Sequence, residues 1–287
     1  MACRPITAAV IGTAITAAGR MPDGLPCSRR QLKIDRMRTE SDRDSNREPA
    51  LAARVRDVIG SPLGFLLDGP DLSTLVLSEL WKRPVAPGAR ALKPYCAVMA
   101  MATDALRGAR ALLLVHDLGG VFLQLRRADE MHTLAVSFGL DPGEAERWLG
   151  GGQVKQVDLR RRIEKEDPRL AGAMRTVHAM LSDEAHGRTQ ALAVYENVDG
   201  EFDWPPHADK VDPVRIRSAF MAAMALLLSN FGVLRWLLRD WGNLSPTVGP
   251  EVAGYYAALV EFVLDREAHG NWTAIAPGHA AAWLGIE

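Results

Sequence analysis

From Leu51 onward the apolar residues recur at steps of three and four, the spacing of one helix face, and they predict an all-α chain. Residues 213–240 break that pattern, because positions Ala219 to Leu228 are apolar on every side. A helix with no polar face is buried all round, so this one is predicted to be the centre of a helical bundle. A last helix is predicted from about Glu251 to His269, with Tyr255, Leu259, Phe262 and Val263 inward. Near 193–204 the period changes to two: Tyr195, Asn197, Phe202 and Trp204 share one face around Asp199-Gly200, a favoured two-residue turn. One small β-hairpin is predicted there.

The helix boundaries have their own signals. Asp141-Pro142, Asp167-Pro168 and Asp212-Pro213 each place a capping carboxylate before a proline at the first helical position, where the missing N–H costs nothing. Glu144, three residues after Asp141, adds a capping-box pattern. Between Tyr95 and about Gly139 the helical spacing is interrupted at Gly119-Gly120, predicting two helices or one kinked helix. Asp71 is placed to cap a short helix through Leu80, and Pro84 and Pro87 then force a loop.

Residues 1–49 bury nothing obvious: a Thr/Ala-rich start gives way to the polar run Arg36 to Glu48. They are expected to be a disordered extension, Met37 being a natural beginning, and 50–287 to be a single helical domain. With 34 basic against 35 acidic side chains, no global field would gather nucleic acid or an anionic membrane. The longest apolar run, Phe220 to Leu228, falls short of the ~20 residues of a bilayer span, so no membrane role is expected. Three cysteines, an odd and scattered set, point to a reducing, cytoplasmic setting. Phosphate-binding glycine loops, nucleophile elbows, H-E-x-x-H and C-x-x-C are all missing, and no cofactor is expected. His116-Asp117 lacks the earlier histidine that a histidine–aspartate metal hydrolase needs.

The segment from Asp167 to Gly187 carries the most chemistry. Leu170, Met174, Val177, Leu181 and Ala185 form its apolar stripe, and Arg175, His178, Ser182 and His186 run beside it at steps of three and four. These groups flank a buried face and could line a cleft, or the histidines could simply be bonded to a neighbouring helix. Eight residues, roughly 12 Å of helix, separate His178 from His186, too far for both to hold one ion. Asp265 and His269, four apart, are the weak metal candidates, and surface pairing explains them equally well. Arg160-Arg161-Arg162, surrounded by Asp158, Glu164, Glu166 and Asp167, is expected to be a solvated face.

Arg127-x-x-Glu130 on an apolar helix, Asp141-Pro142-x-x-Ala145-x-x-Trp148, then Leu181-Ser182 followed by His186-Gly187, resembles uncharacterised bacterial helical families related to the HEPN-like (higher eukaryote and prokaryote nucleotide-binding) superfamily, over about 95–204. The resemblance implies a helical bundle, often a homodimer, in a superfamily of RNA-cleaving toxins, defence proteins and members without known activity. Its ribonucleases use an Arg, four to six residues, then a His. Arg126 and Arg127 to His132, and Arg110 to His116, match that spacing, but 28 Arg and 7 His produce about two such matches by chance.

The reading that follows is a binding or regulatory protein in stress or defence without robust catalysis, with RNA or protein as possible partner. Its alternatives are a metal-independent ribonuclease and a metal-dependent hydrolase on a helical bundle. Arg127, Glu130, His178, Ser182 and His186 are the candidate site residues, with Glu130 expected to pair with Arg175 or a histidine.

Overall fold

A computed structural model describes residues 48–83, 92–185, 208–238 and 241–265, and in all of them regular structure is helical. Residues 46–287 form one compact unit. The elements are α1 (48–59), α2 (Leu63–Lys82), α3 (Leu92–Leu114), α4 (Leu118–Leu140), α5 (Pro142–Leu149), α6 (Gln156–Glu166), α7 (Pro168–Ala185), α8 (Pro213–Leu238), a 3₁₀ turn (Trp241–Asn243) and α9 (Val248–Leu264). The hairpin predicted near 193–204 lies outside the described residues, as does nearly all of the amino-terminal extension.

Helix α8 is the centre. Every residue from Ala219 to Leu234 is buried, and α2, α3, α4 and α9 pack around it. By length and apolarity α8 could cross a membrane, but 83% of its apolar window is buried inside the protein. Asn230, in mid-helix, bonds to two neighbouring helices. Such polar bonding suits a protein core.

All three Asp-Pro starts are found. Asp141 Oδ1 accepts from Gly143 N (3.0 Å), Asp167 Oδ1 from Leu170 N (2.9 Å) and Asp212 Oδ1 from Val214 N (2.9 Å), satisfying amides that a first helical turn leaves orphaned. The capping box is not formed: buried Glu144 turns instead to Ser137 Oγ (2.8 Å) and Arg162. That pairing fastens α5 to α4 and α6.

Two boundaries differ from expectation. The break between α3 and α4 falls at Val115 to Asp117, and Gly119-Gly120 sits in the first turn of α4. The α3 terminus is a Schellman motif, with His116 N donating to Leu113 O (3.0 Å) and Asp117 N to Leu112 O (2.8 Å). His116 takes the left-handed position, at φ 59°, that glycine usually fills. Asp117 then caps α4 through Gly120 N (3.0 Å), and a Cβ on Gly120 would strike that carboxylate. Gly120 makes room for the cap.

The second difference is α2, which does not begin at Asp71 but runs straight through Pro70. Proline withholds one amide and crowds the preceding turn, yet α2 continues past it. Nearby, the Phe65 carbonyl accepts from Tyr255 Oη (2.6 Å), which ties α9 to α2. Gly69 lets this approach happen, since a Cβ there would collide with Tyr255 Oη and lie 2.8 Å from Leu227 Cδ1. At the other end of α2, Glu79 accepts from the amide and hydroxyl of Ser245, which hold its carboxyl below the usual range.

Candidate functional site

Helix α4 supplies the centre of the site, because its inward face carries polar groups among apolar ones. Val121, Leu125, Ala128 and Ala135 are buried on it, and so are Asp129, His132 and Thr133. A carboxylate 2% exposed must find partners or lose its charge. Asp129 finds them on two helices. His178 Nδ1 of α7 donates to Asp129 Oδ2 at 2.9 Å, and Arg160 of α6 brings Nη2 to 3.6 Å of the same oxygen, an ion-pair distance longer than a hydrogen bond.

One turn along α4, His132 makes a separate chain. Its Nε2 donates to Asn230 Oδ1 (3.1 Å), and Asn230 Nδ2 donates to Ser73 Oγ (2.8 Å), linking α4, α8 and α2. This donor assignment leaves His132 Nδ1 bare, buried and without a hydrogen-bond partner. Burial pushes the His132 pKa down to about 4, against a partial opposing pull from Asn230 and the Asp129 charge. The ring is therefore neutral at physiological pH.

No family model, curated protein or solved structure matches this chain. What the site can do has to be argued from its own geometry.

The structure distributes the candidate residues among several places. His178 is held by Asp129, with its side chain 19% exposed. Glu130 does not reach Arg175 or a histidine; it pairs with Arg126 at 3.2 Å on its own helix, while Gln156 Nε2 donates to the Glu130 carbonyl (3.3 Å). Arg175 is exposed and pairs with Glu164. Arg127 points to solvent. Ser182 turns inward beside the apolar stripe, its Oγ buried without a hydrogen-bond partner. His186 lies outside the described residues. Arg127 and Glu130 thus do not join the Asp129–His178 pair.

Sequence reasoning missed Asp129, Arg160 and Asn230. Asp129 stands four residues after Leu125 and eight after Val121, the phase of the buried stripe, whereas Glu130 follows Arg126 by four. That one-residue difference, 100° around the helix, decided which carboxylate went inside. The Arg160–Arg162 run is likewise not one solvated face. Arg160 reaches Asp129, Arg162 reaches Asp141 and Glu144, and only Arg161 is fully exposed, beside Asp158.

Two further candidates resolve as local structure. Asp117 of the His116-Asp117 pair is the α4 cap, and His116 is 5% exposed with its pKa pushed down to about 4, chiefly by burial and then by Arg215. Asp265 is the exposed cap residue that ends α9, and His269 lies outside the described residues. Among the described residues no three His, Cys, Asp or Glu side chains gather as a metal site.

Proposed function

We propose that this chain is a HEPN-like helical protein that acts by binding, as a homodimer, in stress response or defence and without robust catalysis. One observation carries the reading. Each histidine that the Arg-to-His spacing nominates is a core residue: His132 is 1% exposed and bonded to Asn230, and His116 is 5% exposed at the end of α3. A general acid or base has to reach the proton it moves, and neither imidazole presents a face to substrate. Arg110, the other half of one match, donates to the Leu67 carbonyl (2.7 Å).

The test is incubation of the purified chain with single-stranded and hairpin RNA, alongside mass photometry. The expected result is twice the chain mass and no cleavage above a protein-free blank. Cleavage that disappears in a His132→Gln variant would overturn the reading, and a monomer would remove its dimer.

A second reading rests on a different residue. His178 is partly exposed, and a buried carboxylate on Nδ1 fixes the tautomer that leaves Nε2 as base, the arrangement general base catalysis uses. RNA cleavage lost in His178→Ala but kept in His132→Gln would favour an RNA-cleaving enzyme at this dyad over the binding reading.

A further inference from the structure

Seven residues of α2 are exposed, and five of them stand at alternating steps of three and four: Asp68, Asp71, Leu75, Ser78 and Lys82. That spacing draws one stripe along the outer side of the helix, the repeat by which two helices pack along a common seam. Its middle is apolar. Leu75 is 46% exposed at the centre of the stripe, with Leu67 at 37% and Trp81 at 54% flanking it. Three large apolar side chains on one helix are left to water.

The ends of the stripe carry opposite charges, and neither charge is met within the described part of the chain. Asp68 makes no ion pair among the described residues. The cleft beside it, between α2 and α9, is also lined by Asp71, Glu251 and Arg107, and Arg107 is already bonded to Asp71 (2.9 Å) and Asp104 (3.0 Å). This end is acidic. At the other end Lys82 also lacks an ion pair among the described residues, since Glu79, one turn back, gives both carboxylate oxygens to Ser245. The helix dipole favours a cation such as Lys82 in the last turn, but it does not account for Asp68, which lies beyond a first turn that holds no acidic residue.

Asp68 and Lys82 lie seven residues on either side of Leu75, roughly 10 Å each way along the axis. A two-fold axis through Leu75, at right angles to α2, therefore turns the stripe onto itself head to tail. Each Asp68 then faces Lys82 of the other copy, Leu75 faces Leu75, and the small Ser78 falls near Asp71, whose charge Arg107 already meets. Self-complementarity of this kind is what a contact between identical surfaces requires. A parallel pairing would set Asp68 on Asp68 and Lys82 on Lys82, opposing like charges. We propose that two copies of this chain pair antiparallel along the outer stripe of α2, with Asp68 of each copy against Lys82 of the other. The symmetry about Leu75 selects a second copy over a foreign protein, which has no need of it. This assignment rests on the dimer proposed above and names its interface.

Sedimentation equilibrium of the full chain and its charge variants tests it, at low salt so that the pairs are not screened. The wild type is expected to dimerise. Asp68→Lys opposes cations at both ends of the seam and Lys82→Asp opposes anions, so each should dimerise at least tenfold more weakly. Mixing the two variants restores both opposite-charge pairs in a heterodimer, and the double variant restores them in a homodimer, so dimer mass should return in both samples. Both positions are exposed, and the melts of the variants should stay close to that of the wild type. If a charge variant does not fold, Leu75→Arg, on the axis, should dissociate the dimer by itself. A wild-type dimer that none of these changes weakens overturns the α2 seam and leaves the dimer reading standing, whereas a wild-type monomer overturns both. Single variants that dissociate without recovery in the mixture and in the double variant also overturn the seam, because Asp68 and Lys82 would then not face each other.

Discussion

Asp129 Oδ2 accepts from His178 Nδ1 at 2.9 Å, across 49 residues of chain, and this bond joins α4 to α7 in a place where water hardly reaches. Arg160 completes the arrangement from α6, so one carboxylate holds three helices. Its removal strands a buried guanidinium whose Nε and Nη2 have no hydrogen-bond partner.

Asp129→Ala is therefore expected to cost about 3–5 kcal/mol, the range for breaking a buried pair from one side. His178→Ala should cost less, about 1–3 kcal/mol, because Arg160 still compensates the charge. Urea unfolding of both single variants and the double variant checks this. Additive effects, with no coupling beyond about 0.5 kcal/mol, would mean that the bond does not form in solution.

The close approach of α9 to α2 gives an independent test. Gly69→Ala has to displace Tyr255 Oη, which donates to Phe65, and press on Leu227 in the core. A loss of about 2–4 kcal/mol is expected, from overpacking plus the lost hydrogen bond. Gly172→Ala in α7 is the control: nothing lies within 4 Å of its Cβ, so the helix should gain about 0.5–1 kcal/mol. Thermal melts of the two variants should move in opposite directions.

Much of this fold was legible because its signals were local. An Asp-Pro pair specifies its own cap and first turn, and all three did so here. The all-round apolar stretch of α8 could only be buried. Pro70 was misleading: α2 runs on through it, and the side chains packed there, Leu227 and Tyr255 against Gly69, come from far along the chain. The α3–α4 break was misplaced for a related reason. His116 at a left-handed φ does the work expected of glycine, and the two glycines serve the next helix. The site was half legible: α7 was recognised and His178 nominated, but its partner depended on the phase of α4 to one residue, and Asn230 was hidden inside the most apolar helix of the chain.

That burial has a direct consequence in α8. Met224 is 0% exposed, so Met224→Asp places a carboxylate where nothing can solvate it. The desolvation cost is several kcal/mol, set against a total stability of ~5–15 kcal/mol. Insoluble expression or a collapsed near-ultraviolet signal is the expected outcome. Val214→Asp on the same helix, at a position 61% exposed, should express and melt normally.

The last test uses pH. His116 and His132 both have their pKa pushed down to about 4 by burial, from an ordinary value near 6.5. In the unfolded chain each takes up a proton as pH falls through 6.5; in the folded protein each stays neutral until about pH 4. The unfolded state thus binds more protons in that window. Stability from these two residues is complete above pH 6.5 and declines as pH falls towards 4. At about 1.4 kcal/mol per pH unit for each, roughly 2 kcal/mol per histidine is lost between pH 6.5 and 5. His132→Gln keeps an N–H for Asn230 and cannot titrate, and His116→Asn tolerates the left-handed backbone. Asp129 near His132, and Arg215, Asp117 and Asp212 near His116, remain in both variants, so their own contributions cancel in the comparison. Each variant should lose less stability than the wild type between pH 7 and 5, and the double variant least of all. Identical slopes in all four proteins would show that these histidines are protonated in the folded state, and the buried His132–Asn230–Ser73 chain would have to be redrawn.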